Sequence, residues 1–360
     1  MKKTMLLLAC LLSFAASHAQ STKVLTAEKS NDYGLVYSLP ITALDVEVTA
    51  THQVGKKGPY YLYAKKSIGT DKAIAEDFEK WVITNIKVRP YGVADSGTQY
   101  LMQLRPGALT SITVDPNGML LAINKEVEPK SAIPSRDEEK AEKVKWPTGN
   151  EYLDFVDEDF VASKSSAKQA QLLAESLMEV RESKLALTRG TADAMPADGK
   201  QMELMLSSLG EQEAALNAAF TGSVATETVT RRFTFIPEGD GEQILFRMSD
   251  FAGFVDADDL SGDPVYIKIE TLNEASLPVD AKGEPKKLPK NAVIYNIPGS
   301  AQVTISYLGK KLYDKEIQMS QFGMTFGLDP LLFTDKKEPS FAVFDPVTGA
   351  LLEIGSISSK

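Results

Sequence analysis

Apolar residues recur at every second position on both flanks of this 360-residue chain and at helical spacing in its middle, a change of period that restricts it to a mixed, mostly β fold. On the first flank, within residues 33–123, Leu44, Val46, Val48, Ala50 and His52 alternate with Asp45, Glu47, Thr49 and Thr51. Val82, Thr84, Ile86 and Val88 repeat the pattern. Alternation predicts strands with one buried face. On the second flank, 224–360, Val229, Phe233 and Phe235 share a face, as do Val265, Ile267 and Ile269, and then Val303, Ile305 and Tyr307. A turn is expected at Leu308-Gly309-Lys310. In the middle, Ala170, Leu173, Leu177 and Val180 are spaced for one helix, and Met202, Met205, Leu209 and Leu216 for another. The breaker-rich run Gly190 to Gly199 separates them. The spacing predicts antiparallel helices over 164–189 and 198–220, the second ended by Gly222.

The expected architecture is α+β and predominantly β, with two β-sandwich-like units joined by an antiparallel helical hairpin. Its segments are a signal peptide, 1–19; a β-rich domain with short helices, 20–123; a charged linker or long loop, 124–150; the helical hairpin, 151–222; and a β-sandwich-like domain, 223–360. Two short helices are expected in the first unit. One begins at Pro59, places Tyr61, Ala64 and Ile68 on a face, and closes at Gly69 in a left-handed turn. The other carries Ile74, Phe78 and Trp81 at i, i+4 and i+7. VDPNGMLLAI (Val114–Ile123) and FDPVTGALLEI (Phe344–Ile354) echo each other, each an Asp-Pro turn followed by Gly and Leu-Leu-x-Ile. Such turns arise by convergence, because Asp caps, Pro presets φ and Gly takes the positive-φ position. They also arise when two β units are related.

The N-terminus has a basic start at Lys2 and Lys3, an apolar run from Met5 to Ala16, and small residues at Ser17 and Ala19. That run is short of the ~20 residues a membrane span needs, so a cleaved secretory signal is expected. Lipidation at Cys10 is the rival, with only a brief apolar run before it. Cleavage removes the single Cys, and His18 with it, leaving His52 alone. Disulfides, Cys-based metal sites and Cys nucleophiles are then excluded, and any Ser-His-Asp triad must use His52. Without Lys2 and Lys3 the balance is 37 basic against 49 acidic residues. A basic field for nucleic acid or an anionic membrane is therefore missing.

No residue is assigned a catalytic, cofactor-binding or metal-ligating role. His52 reads as a core or edge histidine, since no nucleophile or orienting acid accompanies it. Asp256, Asp258, Asp259 and Asp263 are close enough in sequence to suggest Ca²⁺, but Leu260 and Ser261 fall where an EF-hand needs a ligand and a Gly, and no Glu closes the loop. Ser165 and Lys168 have the Ser-x-x-Lys spacing of penicillin-binding enzymes, without that family's Ser-Asp-Asn or Lys-Thr-Gly. Tyr60, Tyr61 and Tyr63, with Trp81, suit either a core or a sugar- or peptide-stacking surface. Met202 and Met205 suit the core or a partner helix.

Four stretches carry a family resemblance: YSLPITALDVEV (Tyr37–Val48), GPYYLYAKKSIG (Gly58–Gly69), MPADGKQMELMLSSLGEQEAALNAAFTG (Met195–Gly222) and VDADDLSGDPVY (Val255–Tyr266). The chain resembles an exported family of Bacteroidota proteins, domain-of-unknown-function family 4831. The resemblance implies an envelope-associated or periplasmic protein of a Gram-negative bacterium and transfers no site residues. The expected role is non-catalytic binding or scaffolding, with an envelope protein or a glycan as partner, no nucleic acid, no cofactor and no transmembrane segment in the mature chain. The alternative is a carboxylate-dependent hydrolase of glycans, the one catalytic system this composition fully supplies.

Overall fold

The computed structural model describes residues 34–103, 111–128, 144–334 and 338–357. The signal segment 1–19, with Cys10, and much of the charged stretch 124–150 lie outside the described residues. In chain order the strands are β1 (Gly34–Lys56), β2 (Phe78–Gln103), β3 (Ile112–Val114), β4 (Leu120–Ile123), β5 (Ser223–Phe235), β6 (Gly241–Ser249), β7 (Gly253–Val255), β8 (Asp263–Asn273), β9 (Val293–Tyr307), β10 (Lys310–Leu328), β11 (Ser340–Phe344) and β12 (Leu351–Ser356). The helices are α1 (Ala64–Ile68), α2 (Glu158–Ala162), α3 (Ser166–Arg189), α4 (Gly199–Thr221) and α5 (Leu331–Thr334). The fold is α+β and predominantly β, as the two apolar periods require.

Three sheets form, ordered β2-β1-β5, β10-β9-β8-β6-β7 and β12-β11-β4-β3. Two β cores result. The first gathers Leu44, Val46, Val48 and Ala50 of β1 against Phe246, Val265, Ile267, Val303 and Ile305. The second gathers Tyr37 and Leu39 of the same β1 against Ile123, Ile294, Phe326 and Phe344. The long pairs β1–β2 and β9–β10 thus run through both cores. Each long pair changes register at a proline: β1 at Pro40, and β9 at Pro298, opposite the extra residues between Met319 and Met324 of β10.

Strands of the sequence segments 20–123 and 223–360 share sheets. β5 pairs along β1, Ala50 opposite Val229, and β11 pairs with β4, Ala342 opposite Ile123. Strand alternation specifies which face is buried but not which strand lies beside it. The two Asp-Pro turns meet on this shared frame. Asp115 Oδ1 accepts from the backbone N–H of Asn117 and Met119, and Asp345 Oδ1 accepts from that of Val347. Gly118 and Gly349 take φ of 82° and 73°. The exit of the first turn pairs with β1, where Ser38 N–H donates to Gly118 O at 2.9 Å. The exit of the second pairs with β9, where Asn296 N–H donates to Gly349 O at 3.1 Å. Each strand position lies in a Tyr-x-x-Pro run, Tyr37 to Pro40 and Tyr295 to Pro298. The two turns thus occupy corresponding positions on β1 and β9.

Two local expectations are corrected. Ile74, Phe78 and Trp81 do not share a helix; Phe78 opens β2 and Trp81 lies within it. The β-branched and aromatic residues that follow favour the strand. Val82 and Thr84 do not share the core face of Ile86 and Val88. Asn85 lies opposite Thr49 and Ile83 opposite Ala50, so Thr84 is an extra residue, and the bulge shifts the phase. Trp81 and Ile83 therefore pack inward, and Val82 is exposed.

The β9–β10 turn falls where expected, and it stores strain. Leu308 has φ 48° and Gly309 φ 74°, the pair of positive angles a two-residue hairpin prefers. A leucine there is costly, and its side chain is mostly exposed. Leu308→Asn should raise the unfolding free energy by about 1 kcal/mol, read from a higher urea midpoint at unchanged slope.

Candidate functional site

The helices build a third core beside the β frame. Gly58 fits only because it lacks a Cβ, which would strike the Ala218 and Ala219 carbonyls. Tyr60 N–H then donates to Ala219 O at 2.9 Å. Tyr60 packs with Tyr152, Phe160, Phe220, Leu173 and Leu177, and its hydroxyl donates to Gln169 Oε1 at 3.1 Å. Burial pushes the Tyr60 phenol up to about 12. α1 follows a 3₁₀ turn over Tyr61–Tyr63 and ends at Gly69 with φ 74°, the left-handed stop expected there. α4 starts where Asp198 caps it, accepting from Gln201 N–H at 2.8 Å, which explains the Pro-Ala-Asp-Gly run.

Two concave surfaces border α3. A groove of 760 Å³ runs between α1 and α3; Tyr63, Lys66, Lys168, Glu175, Met178 and Glu182 are among its walls. A second, of 520 Å³, lies between the last turns of α3 and the first turns of α4, with Leu187, Ala192, Ala194, Met205 and Leu209 in its lining. Side chains of α3 and α4 meet across this pair of helices. Arg181 Nε donates to Glu213 Oε1 at 2.9 Å and Lys184 Nζ to Glu213 Oε2 at 3.0 Å. Lys184 and Arg181 hold the Glu213 carboxyl below its ordinary 4.5. A depressed carboxyl adds stability that is complete above the unfolded value and is lost as pH falls through the folded one. Glu213→Gln should therefore cost about 1 kcal/mol at pH 7, and the difference from the parent should shrink below pH 4 in thermal melts.

Lys168 lines the α1–α3 groove, while Ser165 occupies the cap position of α3 and is exposed. Met205 lines the other groove and Met202 is half-buried. The aromatic residues separate: Tyr60 is core, Tyr63 faces the groove, and Trp81 turns to the first β core.

His52 stacks on Trp81 with centroids 4.4 Å apart and planes 1° from parallel. Trp146 covers it at 4.7 Å, and Nε2 lies 2.9 Å from Glu79 Oε1. His52 thus lies against two indoles and one carboxylate. Gly253 makes room for the indole, because a Cβ there would sit 2.8 Å from the Trp81 ring. Trp81 Nε1 is buried without an acceptor, so ring packing rather than polarity sets its position. Trp146 and Glu79 were not singled out by sequence. The signal for Trp146 was a large ring at the end of a charged stretch, which must find apolar cover.

Asp256, Asp258, Asp259 and Asp263 do not converge; no acidic, His or Cys group suited to a metal forms among the described residues. Arg247 organises this loop instead, Nε donating to Ala257 O at 2.9 Å and Nη1 to Gly262 O at 3.1 Å. Among the described residues, the carboxyls shifted from their ordinary values are all lowered by donors. Lys311, Gln302 and Thr304 hold Asp314 down to about 2, and Lys87 with Arg232 lowers Glu47. None of these is a carboxyl raised by an acidic neighbour.

The family described as Domain of unknown function (DUF4831) matches residues 33–352. The chain belongs to that family. No curated protein and no solved structure matches it. The DUF4831 span runs from the start of β1 into β12, so it takes in both β cores, the helices and both grooves. No helix among the described residues is long and apolar enough to cross a membrane.

Proposed function

We propose that the protein is an exported, non-catalytic binding or scaffolding component of a Gram-negative cell envelope, and that it engages a protein partner at the free ends of α3 and α4. The observation that supports this reading is the 520 Å³ groove there, lined by Leu187, Met205 and Leu209 and flanked by exposed Met195 and Leu204. Unbranched Met side chains adapt to irregular partner surfaces. Exposed apolar side chains beside a concavity favour association over solvation.

A photo-crosslinking residue placed at Met205 in cells should capture one recurrent envelope protein. The same residue at Glu203, on the exposed side of that turn, should not. Equal labelling from both positions would overturn the partner surface. The non-catalytic half of the proposal is tested separately, by incubating the protein with cell-wall and dietary glycans. Turnover abolished by a single carboxylate substitution would replace it with a hydrolase.

A further inference from the structure

The exposed side of α3 carries charge in an order that its own stability does not explain. Lys168, Gln171, Glu175, Met178, Glu182 and Leu185 succeed one another by steps of three and four, which places them in one stripe along the helix, and Lys164 precedes the helix by two residues. All seven are exposed. The basic members fall at the N-terminal end and the acidic members, with Glu179 beside them, toward the C-terminal end. The helix dipole favours the reverse order, and Lys168 occupies the first turn. Glu175, Glu179 and Glu182 also repel at i, i+3 and i+4 spacing. Among the described residues the side chains of Lys66, Lys168, Glu179 and Glu182 form no ion pair or hydrogen bond within the chain.

We infer that this stripe is a self-association surface on which two copies of the chain pair α3 against α3 in antiparallel orientation. Antiparallel pairing about a two-fold axis level with Leu173 brings Lys164, just before the helix of one copy, toward Glu182 of the other. It sets Gln171 across from Glu175, and Lys168 over Met178 and next to Glu179. A two-fold interface must be self-complementary, and a helix basic at one end and acidic at the other satisfies that only when reversed on itself. The α1–α3 groove supplies the concavity, with Lys66 adding to the basic wall and Tyr63 and Met178 giving apolar contact. This surface is separate from the groove at the α3–α4 ends and does not depend on the partner proposed there.

Sedimentation velocity and light scattering on the purified full chain test it. The parent should double in mass at tens of micromolar in low salt, with about tenfold weaker association in 0.5 M NaCl. The double variant Lys164→Glu/Lys168→Glu should be monomeric, and so should the double variant Glu179→Lys/Glu182→Lys. Mixed one to one, they should restore the dimer, because every cross-copy lysine–glutamate pair is again opposite in charge. Circular dichroism on each variant confirms that α3 is folded, and the mixture is informative even if one variant is less stable. A parent that stays monomeric, or variants that do not rescue each other when mixed, would overturn the inference. So would dimerisation unchanged in both variants, since the surface would then lie elsewhere.

Discussion

Gly92→Ala is expected to destabilise the protein by about 3 kcal/mol, as large a loss as the truncation of a core side chain. Gly92 lies on β2 opposite Thr42, which is completely buried on β1. A Cβ at Gly92 would collide with the Pro346 carbonyl oxygen and lie 3.1 Å from Pro40 Cβ. Pro346 belongs to the second Asp-Pro turn, so the clash falls where that turn rests on the first long strand pair. Neither side can yield cheaply. The turn is fixed by Asp345 and Gly349, and Asn296 Nδ2 donates to Thr348 O at 2.8 Å and to Pro40 O at 3.1 Å. Gly299→Ala should behave alike, since its Cβ would meet the Phe322 carbonyl oxygen and sit 2.6 Å from Asn273 O. Gly239→Ala is the control: its Cβ meets open space, and stability should change by less than about 0.5 kcal/mol. Urea unfolding followed by Trp81 and Trp146 fluorescence measures all three. A Gly92→Ala protein as stable as the control would show that the turn can lift from the strands at little cost.

These contacts mark where sequence stopped being informative. Apolar period identified the buried faces of β1, β8 and β9, because one-sided burial forces alternation. It located both long helices to within about two residues, because Asp198, Gly190 and Gly222 cap and stop them locally. It could not show that β5 lies beside β1, or that β4 lies beside β11, because pairing between distant strands leaves no local mark. The bulge at Thr84 was hidden for a different reason. A single extra residue breaks the phase without changing composition, and Val82 looks as apolar as Ile83.

The candidate surfaces divide in the same way. Lys168, Tyr63 and Met205 were visible as residues, but only the fold sets the first two beside α1 and the third at the helix ends. His52 was predicted on the apolar face of its strand, and it is there. Its stacking partners come from β2 and from the stretch after the charged segment, beyond the reach of any local motif. The four aspartates suggested a cation, and the sequence held no hint that Arg247, nine residues before the first of them, would organise their loop.

The largest effect is expected from Phe246→Ala, which should cost about 3–5 kcal/mol. Phe246 is 1% exposed, stacks on Phe233 with centroids 4.4 Å apart and lies 5.4 Å from Phe254. The loss tests more than packing, because the first β core is lined by the same β1, β9 and β10 that line the second. Amide exchange should accelerate in β6 and β8, and equally at Ala122, Ile123, Ala342 and Val343, which join β4 to β11 outside the first core. Long strands that cross two cores transmit a defect in one to the other, so the two should open together. If exchange rose only around β6 and β8, the register shifts at Pro40 and Pro298 would be acting as hinges. Each core would then be a cooperative unit of its own, although strands from both halves of the chain build it.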